Sequence, residues 1–206
     1  MTTTKAARAP TGRQALAPGC LTGRSPAPPA RPARPAGAGG TPGTTTLPAP
    51  RVRRAGPSRP VLYFAYGSNM DRAQMRRRCP TAAPIGPATL DGWRLAFGGH
   101  SRTWGGSVAT LVRGRNSRVD GLLYTLAPTE LRVLDLYEGH PGCYQRRCVT
   151  VTFQPGGRRR KAHTYVLPIA LEEPPALGYL AVLWRAYRAL GLDHQPLLAA
   201  AVGGVS

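Results

Sequence analysis

Val61-Leu62-Tyr63-Phe64-Ala65-Tyr66, running directly into Gly67-Ser68-Asn69-Met70, is the stretch from which the rest of the chain can be read. Six apolar and aromatic residues after Pro57 and Pro60 predict a buried strand. Gly67-Ser68-Asn69 breaks it with turn residues, and Asp71 can then cap a short helix through Arg78, which Pro80 stops. A glycine just past a strand lets successive backbone N–H groups converge on one point, a nest for an anion or an oxyanion. On local grounds a plain turn is the simpler explanation of the same three residues. The motif is too short for a phosphate loop and lacks the lysine that such a loop uses.

Further strands are expected at 85–90, 93–98 and 107–112, separated by glycine-containing turns, and at 119–126. Pro128 opens a helix in which Leu131, Leu134 and Tyr137 recur at helical spacing, and it ends at Glu138-Gly139. Residues 144–153 alternate, and the turn Pro155-Gly156-Gly157 with the basic run Arg158 to Lys161 leads into a return strand over 162–167. An amphipathic helix over 176–190 carries Leu180, Leu183, Trp184 and Tyr187 on one side and closes at Gly191. Residues 197–202 are a candidate buried helix. Several strands with few helices imply an α+β domain built on a small closed or strongly curved sheet.

Upstream the composition changes. The 206 residues carry a net charge of +19, yet residues 1–60 hold 12 of the 22 prolines, 10 of the 28 basic residues, no Asp or Glu and no aromatic residue. Such a segment has too little to bury to offset the entropy of ordering, so residues 1–60 are expected to be a disordered Pro/Ala/Arg-rich tail. Its prolines argue against the amphipathic helix of a transit peptide, and its lack of aromatics argues against stacking on bases. It also has the composition of a GC-rich upstream region translated from a misplaced start. Residues 61–206 form the domain, with a net charge of +9.

No apolar run approaches the roughly 18 residues needed to span a bilayer, and no apolar segment follows Lys5 and Arg8 as in a secretory signal. The four cysteines contain no CxxC pair, so a structural zinc site is not expected, and reduced thiols in a cytoplasm are the plain reading.

Two features carry possible chemistry. One is the Gly67 turn. The other is Glu138, one of only nine acids, placed where a helix C-terminus opposes a negative charge by roughly 0.3–1 kcal/mol. It is either a surface acid or a carboxylate with a raised pKa that can move a proton. His140 has no Ser or Cys in an obvious triad order, and Arg76-Arg77-Arg78 and Arg158 to Lys161 read as solvated faces able to draw in an anion.

In order and spacing across about 61–202, Phe64-Ala65-Tyr66-Gly67-Ser68-Asn69-Met70, Gly105-Gly106-Ser107-Val108-Ala109-Thr110, and Leu134-Asp135-Leu136-Tyr137-Glu138-Gly139 with Tyr144 behind it resemble the gamma-glutamylcyclotransferase family (AIG2-like, butirosin-pathway type), as does Pro175-Ala176-Leu177-Gly178-Tyr179. The resemblance implies a small mixed β-barrel with flanking helices. It also implies an internal aminolysis that needs no cofactor or metal: the α-amine of a γ-glutamyl group attacks its own γ-carbonyl, giving 5-oxoproline and expelling the attached amine or amino acid. By the same resemblance Glu138 is the general acid and base, and the backbone of Gly67, Ser68 and Asn69 holds the carbonyl oxygen or a substrate carboxylate. Met70, Tyr144, Arg146, Tyr66 and Tyr179 complete the expected substrate contacts. Arg146 pairs with a substrate carboxylate or with a structural acid, and Ala176 stands where a serine is expected. A small-molecule γ-glutamyl partner and a monomer or homodimer follow. The rival readings are a binding module without turnover and a basic nucleic-acid-associated protein acting through its tail.

Overall fold

Strand β1 (Val61–Ala65) is clamped on both edges. Along one, β3 (Gly106–Leu126) runs antiparallel to it, with Val61 opposite Leu126 and Ala65 opposite Leu122. Along the other, β5 (Arg158–Val166) runs parallel, with Tyr63 opposite His163. With β2 (Ala83–Ser101) and β4 (Gln145–Phe153) the order β1-β3-β2-β4-β5 closes into a barrel, the mixed β-barrel that the resemblance implies and the closed sheet that the strand pattern implies. The computed structural model describes residues 59–154 and 156–203, so the tail reading lies outside the described residues but for Arg59 and Pro60.

The expected pairs of short strands are two long ones. Residues 85–90 and 93–98 are both β2, and 107–112 and 119–126 are both β3. Gly92, at φ 76°, is a bulge rather than a turn, and across from it residues 114–117 leave the ladder between Arg113 and Arg118, with Asn116 at φ 56°. Bulges bend a strand without ending its pairing, and this lets one hairpin wrap around a small barrel. The basic run Arg158–Lys161 likewise belongs to β5, opposite residues 150–153, because its backbone completes the hairpin while its side chains stay exposed.

Among the described residues four α-helices flank the barrel. In α1 (Arg72–Arg78) the Asp71 side chain accepts from the Gln74 N–H at 2.8 Å, as its capping position predicts. The first turn of α2 (Pro128–Tyr137) is tied down by Glu130, whose carboxylate accepts from the Ala127 N–H at 3.2 Å and from the Thr81 N–H at 2.7 Å, so the start of α2 is fixed to the segment leaving α1. The buried side of α3 (Leu177–Leu190) is Tyr179, Val182, Leu183, Ala186 and Tyr187. Trp184, expected on that side, is 38% exposed and instead lies against His194, 4.3 Å between ring centres, before α4 (Gln195–Val202). No helix among the described residues is long and apolar enough to cross a membrane.

Candidate active site

The chain leaves β1 through Tyr66, which is buried and donates its hydroxyl to the Tyr165 carbonyl at 2.6 Å. Residues Ser68–Met70 then form a single 3-10 turn, closed by the Met70 N–H on the Gly67 carbonyl at 3.0 Å. The first N–H groups of such a turn have no carbonyl of their own turn to meet and collect at its N-terminal end. Gly67 is required there for space: a Cβ on it would lie 2.9 Å from the Tyr179 hydroxyl. That hydroxyl, reaching in from α3, meets the backbone of Ala109 and Ser68 and the Ser68 side chain. Burial pushes the Tyr179 phenol up to about 12, against the pull of those contacts, so it is a neutral hydrogen-bonding group.

Glu138 is the residue at which α2 ends, and its own N–H still bonds the Leu134 carbonyl at 2.9 Å. This aims the side chain at the turn after β1. Its Oε1 accepts from Asn69 Nδ2 at 3.0 Å and from Arg78 Nη1 at 3.0 Å. Asn69 is the hub of the arrangement. Its Nδ2 also donates to the Tyr63 hydroxyl at 2.8 Å, its Oδ1 accepts from Arg78 Nη1 at 2.9 Å and from Gln74 Nε2 at 3.2 Å, and its backbone carbonyl accepts from the Tyr124 hydroxyl at 3.0 Å. Gln74 Nε2 further donates to Ser68 Oγ at 2.8 Å. A residue so fully bonded holds one rotamer, and it fixes the carboxylate with it.

The environment of Glu138 favours the protonated form. Burial pushes its carboxyl above the usual carboxylate range, while the Arg78 charge and the hydrogen bonds from Asn69 and Arg78 oppose that push without cancelling it. Its side chain keeps 14% of its surface exposed, so a ligand or water can reach it. Tyr63, Tyr66, Tyr144, Tyr165 and Tyr179 surround it closely enough to sense its charge, and burial, the leading cause, keeps all five phenols un-ionised.

The residues singled out in the sequence divide in two. Gly67, Ser68, Asn69, Glu138, Tyr66, Tyr144 and Tyr179 converge, with the Tyr144 hydroxyl donating to the Ala109 carbonyl at 2.9 Å. Met70 and Arg146 do not belong to this group. Met70 is 2% exposed and packs in the hydrophobic core, because the 3-10 turn rotates its side chain inward. Arg146, in β4, pairs its guanidinium with Asp135 Oδ2 at 2.5 Å, a structural acid being one of its two expected partners. His140 is also structural, its Nδ1 accepting from the Arg146 N–H at 3.1 Å.

Two contributors were not visible in the sequence reading, Arg78 and Gln74. The run Arg76-Arg77-Arg78 reads as a solvated face, and Arg76 and Arg77 are indeed exposed. Arg78 turns inward instead, its guanidinium also lying over the Tyr137 ring at 4.9 Å. The available signal was helical spacing, since Gln74 and Arg78 are four apart on one face and Arg78 follows the buried Met75 by three.

Comparison with known proteins bears on this site. The sequence model of the family described as "Gamma-glutamyl cyclotransferase, AIG2-like" matches residues 63–185. Gamma-glutamylcyclotransferase of Homo sapiens is 31% identical over 139 residues, covering 65% of this chain and 73% of that protein, and the Bos taurus enzyme gives the same figures. A solved structure named gamma-glutamyl cyclotransferase superimposes with a TM-score of 0.62 at 29% identity, covering 66% of this chain and 82% of the other.

Proposed function

The chain belongs to the gamma-glutamyl cyclotransferase, AIG2-like family, and from that membership we propose that it cyclises a γ-glutamyl amino acid or γ-glutamyl amine to 5-oxoproline, with Glu138 carrying the proton. The observation that carries this reading is the junction of Glu138 with Asn69. Residues 69 positions apart bring a half-open carboxylate to 3.0 Å from the turn whose N–H groups can hold an oxyanion.

The reaction then proceeds with atoms and charges balanced. The substrate α-ammonium gives one proton to Glu138, and the freed amine attacks the γ-carbonyl carbon four atoms along its own chain, closing a five-membered ring. Tethering removes the entropic cost of bringing two molecules together. The carbonyl oxygen becomes an oxyanion held by the backbone N–H groups of the turn. As the C–N bond to the leaving group breaks, Glu138 returns that proton to the departing nitrogen, then takes the second proton from the ring nitrogen and passes it to the released amine, leaving the neutral lactam and an ammonium. Water takes no part, so the overall step is a lyase-type cyclisation that expels the amine. A carboxyl raised by burial suits both halves of this cycle, since it must accept and release a proton near neutral pH.

The test is 5-oxoproline release by the full chain from a panel of γ-glutamyl amino acids and amines, with E138Q alongside. Release that is lost in E138Q is the expected result. Release that survives the substitution removes Glu138 from its role. A γ-glutamyl compound bound tightly but recovered unchanged replaces the enzyme by a binding module.

A further inference from the structure

We propose that Arg78 is the positioning residue that gives the two oxygens of Glu138 different tasks, anchoring Oε1 so that Oε2 alone exchanges the proton. This rests on the reading of Glu138 as the proton carrier and assigns that site a residue from a helix the motifs do not include.

The geometry is asymmetric. Among the described residues both hydrogen bonds to the carboxylate end on Oε1, from Arg78 Nη1 and Asn69 Nδ2. One nitrogen of Arg78, Nη1, bonds Glu138 Oε1 at 3.0 Å and Asn69 Oδ1 at 2.9 Å together. The guanidinium is itself held by the ring of Tyr137, the residue preceding the carboxylate. Gln74, four residues earlier on the same helix face, fixes the other side of Asn69 and the Ser68 hydroxyl. The α1 helix thus holds the turn and the carboxylate with a single face, and a rigid planar cation is suited to two acceptors at once where an ammonium is not.

Charge matters as much as placement. The groups facing Glu138 are Arg78 from α1, Tyr63 from β1, Tyr66 and Asn69 from the segment after it, Tyr144 ahead of β4, Tyr165 from β5 and Tyr179 from α3. Among them Arg78 is the cation, and the phenols are neutral. Arg78 therefore keeps the buried carboxylate ionised enough to accept a proton from the substrate ammonium. Without it, burial governs and the carboxyl fills with a proton that substrate cannot displace.

The experiment uses the full chain in four forms, wild type, R78Q, R78K and the exposed-neighbour control R76Q. Two readouts are taken: the pH profile of kcat/KM for 5-oxoproline release, and carboxyl titration by NMR on protein carrying 13C-labelled glutamate. The chain's four glutamates make assignment through E138Q direct. In R78Q the acidic limb of the profile and the Glu138 titration both move up by about 1–3 pH units, the range an adjacent opposite charge commands. At pH 6 activity falls by ten-fold or more and recovers toward wild type on the alkaline side. R78K restores part of the shift, and R76Q moves neither readout. A loss equal at all pH values with an unmoved titration overturns the proposal and leaves Arg78 a structural residue. If the wild type turns over no γ-glutamyl compound, the proposed function fails, and the NMR titration alone decides whether Arg78 controls the carboxyl, an unmoved one again overturning it.

Discussion

Asp135 and Glu138 lie three residues apart at the end of α2, and each meets an arginine from another element, yet the two carboxylates are built for opposite ends. Asp135 is closed: Oδ1 accepts from the Tyr165 hydroxyl at 2.8 Å and Oδ2 from Arg146 at 2.5 Å, so both oxygens join α2 to the β4–β5 hairpin. Glu138 is half open: among the described residues both of its hydrogen bonds fall on Oε1, and the side chain keeps some exposed surface. A carboxylate with both oxygens occupied holds elements together. One with a fixed oxygen and a reachable one can move a proton without losing its place.

The most forceful way to break this comparison is to neutralise each acid separately. E138Q keeps an oxygen for Asn69 and Arg78 but cannot exchange a proton, so 5-oxoproline release should fall by about 10²–10⁴-fold while thermal unfolding is unchanged or rises. D135N should do the reverse. It loses a charged hydrogen-bonded pair worth about 1.5–3 kcal/mol, lowering Tm, while kcat per folded molecule stays within a few-fold of wild type. If D135N abolished activity in a fully folded protein, the division between the two acids would be wrong.

The glycines repeat the contrast one step lower in effect. A methyl at Gly67 would press on the Tyr179 hydroxyl at 2.9 Å, the far end of a side chain rather than backbone, so G67A should fold but displace the turn proposed to hold the substrate. A misplacement of that kind costs on the order of 10²-fold in kcat/KM. A methyl at Gly121 meets the Ala65 carbonyl at 2.3 Å and the Phe64 ring at 2.8 Å, where β3 crosses close to β1. G121A should therefore destabilise the barrel by about 1–3 kcal/mol or more, readable by urea denaturation. A stable G121A with an undisturbed midpoint would show that β1 and β3 can part without consequence.

Local signals in the sequence carry some of these distinctions and miss others. The first strand (read as 61–66, formed over 61–65), the Asp71 cap, the Pro128 helix start and the Gly191 stop are all decided within a few residues, and the sequence states them. The union of 85–90 with 93–98 is not local. Gly92 and Asn116 have the chemistry of turn residues, and only pairing with a distant strand makes them bulges. The same holds at the site. Gly67 and Glu138 stand out in the sequence because a glycine after a strand and an acid at a helix end are locally unusual. Arg78 sits in a run of three identical side chains, and what separates it from Arg76 and Arg77 is a carboxylate 60 residues away. At Arg146 the sequence leaves two partners open, a substrate carboxylate or a structural acid, and the acid it meets, Asp135, lies on another element and is named by no local signal.

The finest test of the comparison is the pH dependence of stability. Burial raises the carboxyl of Glu138 in the folded protein above its unfolded value. Such a group favours folding below its unfolded pKa of about 4.3, and that contribution disappears as pH rises through the folded pKa, because the ionised form is better solvated unfolded. E138Q has no proton to lose. The stability of E138Q relative to wild type should therefore rise with pH from about 4 upward and level off once Glu138 is ionised in the folded state, by about 1.4 kcal/mol for each pH unit that separates the two pKa values. Urea denaturation of both proteins from pH 4 to 8 measures this difference directly, and groups common to both proteins, Asp135 included, largely cancel. A difference that is flat, or that favours the wild type as pH rises, would mean that Arg78 and Asn69 outweigh burial at Glu138. The carboxylate would then be held like Asp135, as a structural tie rather than a proton carrier maintained against the stability of the fold.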